Sequence, residues 1–497
     1  MMEHEDAGTI AAHSAVPALP KIRWTHILSI SIFWLALNFH WAALAIIILP
    51  SQVYKIVGNA DKGVALAFVL VPGAFVSLFA NPLFGTLSDR TRGWLANWGR
   101  RRPYIFVGTL VNIAALAWMA ASRDIVSLAI AYILVQFSSN AAQAPFHALL
   151  PDIVPEEQRG LASGVMGLLS IAGTVAGVTV ASLFVVSNLP MPDYTRGLWI
   201  AYGTIIAVLL GLMLITVFSV YQDKGTLLQP TGQQRVPWYK RFSRSTILNV
   251  LGTVVVTALA WLLMTLWNSI QGPGLHISSD AQELILELIA TVGLLRLFDF
   301  HPRRDPDFAW VLATRLVMML GIYTIQTYFQ YYMRDAVGVP DPEAQSRNFV
   351  IIVSLTSLVS AFAAGWLSDR FGRKRLVYIS GFFMALVGFV FVIFHSLLIV
   401  LLAGAIFGIA YGAYQSVDWA LVADVLPSAK HYARDMGVWN ISLSLPQVIA
   451  PVIGGPIIDH FNNSGNPILG YQVIFVMAIV YCLLGTVTVR FIKGVKR

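Results

Sequence analysis

The chain has 497 residues, of which 57% are hydrophobic and only 12% are charged. A water-soluble globule of this length needs far more polar residues to cover its surface, so the composition places the chain in a lipid bilayer. Lysine and arginine outnumber aspartate and glutamate by 33 to 25, which gives a formal net charge of +8. These charges fall in short clusters between apolar segments and form no long basic tract, so nucleic acid is not an expected partner.

Long apolar segments recur along the chain in two sets of six. A helix needs roughly 20 mostly apolar residues to cross the hydrocarbon layer. The first set predicts spans α1 to α6 at residues 24–49, 62–85, 103–121, 125–150, 159–187 and 196–220. The second set predicts spans α9 to α14 at residues 308–333, 346–368, 375–395, 397–422, 433–458 and 469–492. The sequence therefore predicts an all-α integral membrane protein built from two six-helix bundles.

Between the two sets lie a polar, basic linker and two further apolar segments, α7 at 246–270 and α8 at 279–300. The second of these contains Glu283, Glu287 and Arg296, and alone it is typical of an amphipathic helix at the membrane interface. If only α7 crossed, however, the basic turns before α3 and before α11 would face opposite sides of the membrane, against the positive-inside rule. We therefore predict that both cross, which gives about fourteen spans and places both termini in the cytoplasm. The predicted units are a cytoplasmic tail at 1–23, a first bundle at 24–220, a linker with the inserted pair at 221–305, and a second bundle with a short tail at 306–497.

The turn after α2 and the turn after α10 carry near copies of one motif. The first copy runs from Gly85 to Arg90 and closes with Gly99 to Arg102, and the second runs from Gly365 to Arg375. An acid at the end of a helix can bind an arginine and the positive end of a neighbouring helix, and so latch two bundles in one state. The predicted gating residues are Asp89, Arg90 and Arg159 in the first half and Asp369, Arg370 and Arg434 in the second. The alternative is that these are solvated loop charges placed only by insertion bias.

Polar and aromatic side chains recur at helical spacing on four of the predicted spans. On α4, Gln136, Asn140, Gln143 and His147 are four, three and four residues apart, which places them on one narrow face. Similar stripes are Trp34, Asn38 and Trp41 on α1, Tyr323, Gln326, Gln330 and Arg334 on α9, and Tyr411, Gln415 and Asp418 on α12. Amides exchange hydrogen bonds with hydroxyl groups and ring faces pack on the apolar side of a sugar, so the set suits a hydroxyl-rich neutral ligand. The alternative is that these groups bridge helices for structural reasons alone.

The repeated motif resembles the Asp-Arg-x-Gly-Arg-Arg type of loop of the major facilitator superfamily. The longer first copy, with extra residues from Gly93 to Trp98, looks like the form found in the sucrose/proton symporters. Further similarity to them lies at Phe39-His40-Trp41, Gln143 to Leu150 and Ser416 to Val422, and the run from Tyr328 to Asp335 also resembles the wider glycoside-cation symporter group. The resemblance implies two bundles that rock about a central site lined by α1, α4, α9 and α12. Pattern and resemblance together give as substrate-binding residues Asn38, Trp41, Gln136, Asn140, Gln143, Gln326, Gln330, Tyr411 and Gln415.

A proton symporter needs a cavity group whose charge can change, and acids inside the membrane are costly, at about 2.5 to 3.5 kcal/mol each on insertion scales. Gln136 and His147 stand where the sucrose symporters carry an aspartate and an arginine, and Leu44 stands where they place a polar or acidic group. The remaining candidates for proton coupling are Asp418, His147 and His40. Two alternatives stay open: Asp418 pairs with an arginine such as Arg315 to hold a gate, and His147 is a structural histidine.

The sequence thus predicts a secondary active transporter in the cell membrane that moves sucrose or a related glycoside together with protons. No phosphate-binding loop, zinc spacing or pair of nucleophile and base occurs in a plausible context, so an enzyme, a metal site and a cofactor are not expected. Two other functions stay open: an exporter of amphipathic small molecules, and a membrane sensor that keeps the fold without transport. The expected partners are the sugar, a proton or other coupling cation, and the lipid bilayer.

Overall fold

The computed structural model describes residues 21–89, 91, 98–219, 244–270, 277, 279–297, 300, 302–425 and 432–493. Within these ranges every regular element is a helix. Twelve of the helices in the described ranges are long and apolar enough to cross a membrane. The prediction of an all-α membrane protein is therefore confirmed.

Each of the twelve predicted spans of the two bundles corresponds to one observed helix. The first half consists of α1 (Trp24–Val57), α2 (Lys62–Asp89), α3 (Arg102–Ala121), α4 (Ile125–Ile153), α5 (Arg159–Phe184) and α6 (Met191–Ser219). The second half consists of α9 (Pro306–Asp335), α10 (Pro342–Phe371), α11 (Arg373–Ile393), α12 (Leu397–Val425), α13 (Tyr432–Asn463) and α14 (Pro467–Thr488). Proline opens three of them, because the first turn of a helix has no use for the N–H group that proline lacks.

The inserted pair forms two helices, α7 (Arg244–Ile270) and α8 (Ser279–Leu297). Helix α8 packs on α2 and α13, and α7 packs on α8 from outside, which leaves apolar side chains such as Leu263 and Ile270 exposed. Their apolar stretches, Val255–Ile270 and Leu284–Gly293, are shorter than those of the twelve long helices. The pair is confirmed as helices, whereas its crossing of the membrane, and with it the count of fourteen spans, stays a prediction.

The two halves repeat the same packing scheme. In the first half α1 packs on α5, α2 on α4, and α3 on α4 and α6. In the second half the equivalent contacts are α9 on α13, α10 on α12, and α11 on α12 and α14. Between the halves, α2 meets α13 and α5 meets α10, which are again equivalent pairs. The internal repeat seen in the sequence therefore extends to the whole architecture of twin bundles.

Helix α1 departs from regular α geometry in its middle. Residues Ala43–Ile48 form a π-helical segment just before Pro50. A proline ring inside a helix displaces the carbonyl group four residues earlier, and a wider turn accommodates that carbonyl. The backbone carbonyl of Pro50 itself accepts a hydrogen bond from the Tyr331 hydroxyl of α9 at 2.9 Å. The irregular segment thus directly precedes, along α1, a contact between the two halves.

The halves meet tightly at one end, which we call the closed end; it carries the connections at residues 58–61, 185–190, 336–341 and 464–466. A Cβ atom added to Gly63 of α2 would lie 2.6 Å from the carbonyl oxygen of Gly455 of α13, so the two backbones are in direct contact. Toward the other end, a Cβ atom on Gly160 or Gly164 of α5 would meet no atom of the described part of the chain within 4 Å. The predicted orientation places the closed end outside the cell.

Candidate functional site

In the first half, three of the predicted side chains form one group between α1 and α4, and Asn38 lies next to them on α1. The rings of Trp34 and His147 meet edge to face with their centroids 4.7 Å apart, and Nε2 of Gln143 lies 3.3 Å from Nε2 of His147. Asn38 donates to the carbonyl of Trp34 at 2.8 Å and accepts from the Ser170 hydroxyl of α5 at 2.7 Å. Gln143 is half-buried and His147 is exposed. The group therefore presents an amide, an imidazole and an indole from one surface.

The remaining amides of the α4 stripe lie deeper and bind protein groups. Gln136 donates to the Tyr132 hydroxyl at 2.8 Å, and Asn140 donates to the carbonyl of Gln136 at 2.8 Å. Asn81 of α2 donates to Oδ1 of Asn140 at 3.3 Å. Gln136 and Asn140 are only 6% and 8% exposed. Their contacts match the bridging role considered as an alternative, and their role in binding substrate stays a prediction.

In the second half, Tyr411 and Gln415 of α12 lie beside Tyr323 of α9. Gln415 donates to the Tyr411 hydroxyl at 2.6 Å, and the Tyr411 ring stacks on Phe407 with centroids 5.9 Å apart. The Tyr323 hydroxyl accepts a hydrogen bond from Gln447 of α13 at 3.1 Å. The sequence analysis missed Gln447, although Asn440, Ser444 and Gln447 are four and three residues apart on α13 and could have revealed it. Gln326, one turn from Tyr323 on α9, is exposed.

Asp418 forms a buried ion pair with Arg315 of α9. Oδ2 of the carboxylate lies 2.6 Å from Nη1 of the guanidinium, and each side chain is 3% exposed. The guanidinium carbon lies 3.3 Å from the centroid of the Trp439 ring. Burial of an ion pair is tolerated only where the charges match closely, as they do here. The pairing considered as an alternative for Asp418 is therefore present, and proton coupling by Asp418 stays a prediction.

His40 and Trp41 of α1 occupy different surroundings although they are adjacent. His40 is fully buried, and neither ring nitrogen has a hydrogen-bond partner among the described residues. Trp41 is half-buried and packs against the core of the first half, with its ring centroid 4.7 Å from that of His40. The structure does not bring His40 into the group formed by Trp34, Gln143 and His147.

Gln330 of α9 lies in the closed end. Its amide donates to Oε1 of Glu343 at 3.0 Å, and both side chains are at most 2% exposed. The backbone N–H of Ser187, in the first half, donates to the same oxygen at 3.3 Å, and Arg334 lies 3.4 Å from it. Gln330 shares a helical face with Gln326 but sits one turn nearer to this end. We therefore assign Gln330 to the contact between the halves, and substrate binding by it stays a prediction.

The predicted gating pairs fall mostly outside the described residues. The side chains of Asp89, Asp369 and Arg434 and the whole of Arg90 are outside them. Arg159 opens α5, and the Arg370 guanidinium is exposed above the Trp366 ring at 4.1 Å. The gating roles of the six residues stay predictions.

Arginines of the repeated motif bind acids that the sequence analysis did not single out. Arg100 and Arg101 lie 2.6 and 3.1 Å from Oδ2 of Asp152, at the end of α4. In the second half Arg373 pairs with Asp424, at the end of α12. The two acids open a repeated sequence, Asp152-Ile153-Val154-Pro155 and Asp424-Val425-Leu426-Pro427, which could have revealed them. Each motif thus ties the end of its own half together.

At the closed end, the first turn of α2 is held by two carboxylates of the second half, an arrangement that we call the clasp. Lys62 is fully buried and pairs with Asp335 of α9, which also accepts from the Tyr471 hydroxyl. Asp459 of α13 accepts hydrogen bonds from the backbone N–H groups of Gly63 at 2.8 Å and Val64 at 2.7 Å. Every contact of the clasp with α2 joins the first half to the second. The clasp must therefore break if the closed end opens.

Within the described ranges, no cluster of three or more histidine, cysteine or acidic side chains is arranged to hold a metal ion. The single cysteine, Cys482, is buried in α14 against Gly321.

Comparison with known families gives two matches that together cover most of the chain. Residues 311–496 match the sequence model of the Major Facilitator Superfamily, and residues 32–271 match that of MFS/sugar transport proteins. A solved structure of a bacterial homolog of the human lysosomal transporter Spinster, inward-facing and unoccupied, superposes with a TM-score of 0.64 at 12% identity. That superposition covers 94% of this chain and 97% of the other, so the two share a fold.

Two curated relatives are transporters of different kinds of substrate. The chain is 24% identical over 161 residues to the multidrug efflux pump LfrA of Mycolicibacterium smegmatis, covering 32% of each protein. It is 28% identical over 128 residues to the sucrose transport protein SUC4 of Arabidopsis thaliana, covering 22% of this chain and 24% of that protein. The chain thus spans about a third or less of the length of these two relatives.

Proposed function

Because this chain belongs to the major facilitator superfamily, we propose that it is a secondary transporter that moves a sucrose-like sugar or glycoside by alternating access, in symport with protons. The observation that carries the proposal is the pairing of amide and ring side chains in both halves. Gln143 and Trp34, which both contact His147 in the first half, and Gln415 with Tyr411 in the second, offer the hydrogen bonds and ring faces that a sugar uses. The match to sugar transport proteins and the similarity to SUC4 support the same substrate class.

The proposed binding residues are those predicted from the sequence, with Gln447 and Tyr323 added from the second half. Gln447 and Gln415 can each exchange the tyrosine hydroxyl that they now bind for a hydroxyl group of the sugar. Such an exchange keeps the amides hydrogen-bonded both before and after substrate binds, which limits the cost of exposing them. His147, at the edge of the first group, is the proposed proton acceptor nearest to this site.

Alternating access requires a barrier on one side of the site at a time. The closed end supplies such a barrier, while Cβ atoms added to Gly160 and Gly164 near the other end would meet no atom of the described residues within 4 Å. We propose that the closed end faces outside, that both termini are cytoplasmic and that the protein resides in the cell membrane. Under that orientation the structure corresponds to an inward-facing state.

Labelled sucrose should accumulate in proteoliposomes when the outside is acidic, and accumulation should collapse when a protonophore removes the gradient. The proton gradient is the only driving force in that preparation, so accumulation above equilibrium reports coupling. If sucrose exchanges without a gradient but does not accumulate when the outside is acidic, the proposed proton coupling is wrong and the proposed substrate is kept. Indifference to sucrose in both assays would overturn the proposed substrate.

Replacing Gln143 by alanine should weaken sucrose uptake, raising the half-saturating concentration by roughly tenfold, since one hydrogen bond to a buried polar ligand is lost. Gln472→Ala is the matched control, because that amide donates to the Val392 carbonyl between α14 and α11, within one half. Equal effects of the two substitutions would argue against substrate contact by Gln143. A non-transporting sensor would keep its role in both variants.

The efflux relative LfrA favours a second candidate, an exporter of amphipathic molecules. The two candidates differ in the direction of net flux under an acidic exterior. An exporter would extrude an amphipathic cation such as ethidium from cells that express the chain, and sucrose would not compete with it. Competition by sucrose would support the sugar site.

A further inference from the structure

The first turn of α2 is capped by a residue of the other half. Asp459 of α13 is 6% exposed, and its two carboxylate oxygens accept the backbone N–H groups of Gly63 and Val64. These N–H groups have no acceptor within α2, since the first four N–H groups of any α-helix lack one. Opening of the closed end carries Asp459 away with the second half and takes the acceptor from both N–H groups.

Asp61 stands at the position from which a side chain ordinarily caps a helix. Its backbone carbonyl accepts the first hydrogen bond of α2, from the N–H of Ala65 at 2.9 Å, so Asp61 is the N-cap residue. Aspartate is preferred there, because its carboxylate can accept the N–H group two or three residues further on. Here the Asp61 side chain is exposed and makes no hydrogen bond with any residue that the structure describes. It lies close enough to Asp459 for the two negative charges to interact.

The equivalent helix of the second half shows the ordinary arrangement. Helix α10 begins after Asp341, whose carboxylate accepts an N–H group of that helix's own first turn at 3.2 Å. Helix α4 is capped in the same way by Asp124, at 2.8 Å. In both cases the donor lies three residues after the aspartate, and Val64 lies three residues after Asp61. Asp61 therefore has the chemistry and the spacing to bind this N–H group once the other half has moved away.

We propose that Asp61 and Asp459 exchange the N-terminus of α2 during the transport cycle. Asp459 caps it while the closed end is shut, and Asp61 caps it while that end is open. The first turn of α2 then keeps a carboxylate partner in both states, which lowers the free-energy cost of opening. Asp61 is thus a positioning residue, and its removal shifts the balance toward the closed form.

The inference rests on the proposed alternating access, but its test needs no substrate. Spin labels are attached to cysteines introduced at Met191 and Ser464, which are exposed on opposite halves at the closed end, in a Cys482→Ala parent. Double electron–electron resonance measures the distance between them in lipid nanodiscs, and the populations of long and short distances give the ratio of open to closed forms. Asp61→Ala should lower this ratio by roughly fivefold, as expected for the loss of an N-cap in the open form.

Two control variants separate capping from other effects of the substitution. Asparagine caps a helix about as well as aspartate but carries no charge, so Asp61→Asn should keep the ratio within about twofold of the parent. If relief of the repulsion between the two carboxylates were the cause, Asp61→Asn would match Asp61→Ala. Asp124→Ala removes a cap that lies within one half, so it should leave the ratio unchanged.

The partner substitution should act in the opposite direction. Asp459→Ala should raise the ratio by roughly fivefold or more, because the closed form loses two hydrogen bonds between the halves. Asp61 can then cap α2 in both forms. Adding Asp61→Ala to Asp459→Ala should therefore leave the ratio where Asp459→Ala alone has placed it.

A ratio in Asp61→Ala equal to that of the parent, or an equal fall in Asp61→Ala and Asp61→Asn, would overturn the exchange. If Asp459→Ala fails to fold, the comparison of these two variants decides, since Asp61 is exposed. Short distances alone in every variant would overturn both the exchange and the proposed alternating access. Long distances whose population does not depend on Asp61 would overturn the exchange and leave alternating access in place.

Discussion

Replacing Gly455 by leucine is expected to hold the closed end apart and to abolish transport. The α2 and α13 backbones touch there, since a Cβ atom on Gly455 would lie 2.7 Å from the carbonyl oxygen of Gly63. Backbone cannot yield as a side chain can, and overpacking of this kind costs about 1–3 kcal/mol or more. A transporter that cannot close one end cannot expose its site to the other side. Initial uptake rates in proteoliposomes should fall by roughly tenfold or more.

The matched control for this substitution is Gly211→Leu on α6. A Cβ atom at that position meets no atom within 4 Å among the residues that the structure describes, so the added side chain should leave transport unchanged. Spin labels on cysteines introduced at Met191 and Ser464, which are exposed on opposite halves at the closed end, should lie farther apart in Gly455→Leu than in the unchanged chain, because the added side chain separates the two backbones. Normal uptake by Gly455→Leu would mean that closure of this end is not part of the transport cycle.

Removing one member of the pair between Arg315 and Asp418 should be the most destabilising single change in the second half. Asp418→Asn leaves the guanidinium buried without a counter-charge, which costs about 3–5 kcal/mol in comparable buried pairs. Arg315→Met together with Asp418→Leu removes both charges and should be far less harmful than Asp418→Asn alone. Thermal unfolding of the purified protein in detergent, followed for the two single variants and the double variant, measures the difference.

The same variants also test the proton role predicted for Asp418. If Asp418 carries the proton, the double variant should fold and exchange sucrose but fail to accumulate it against a gradient. Accumulation at the normal level would leave Asp418 a structural partner of Arg315. Stability of Asp418→Asn equal to the unchanged chain would contradict the buried pair itself.

The helices of both bundles were predictable because their apolar lengths match the thickness of a membrane. The inserted pair was predictable as helices for the same reason. The positive-inside rule concerns the charges of the loops, however, and does not determine how the two helices pack against the bundles. Periodicity also identified the face of α9 that bears Gln326 and Gln330. It could not give depth, since a helix as long as α9 passes through both the candidate site and the closed end.

The contacts between segments far apart in sequence were harder to predict. The partners of the motif arginines were missed because Asp89 and Asp369 are the acids inside the motifs. The observed partners, Asp152 and Asp424, lie in a shared sequence some fifty residues downstream of each motif. The clasp was missed because Lys62 and Asp459 lie at the ends of predicted spans and belong to no polar stripe. A charge at such a position does not identify its partner, and here the partners are a distant aspartate and a backbone turn.

The ties from Arg101 to Asp152 and from Arg373 to Asp424 have a mechanical consequence. Each joins two helices of the same bundle and neither crosses to the other bundle. They hold the ends of α4 and α12 against the starts of α3 and α11, so each bundle can rotate as a rigid body. Distances measured inside one bundle should then stay constant through the transport cycle, while distances between the bundles change. The backbone strain of the motion should concentrate in the segments that connect the two bundles.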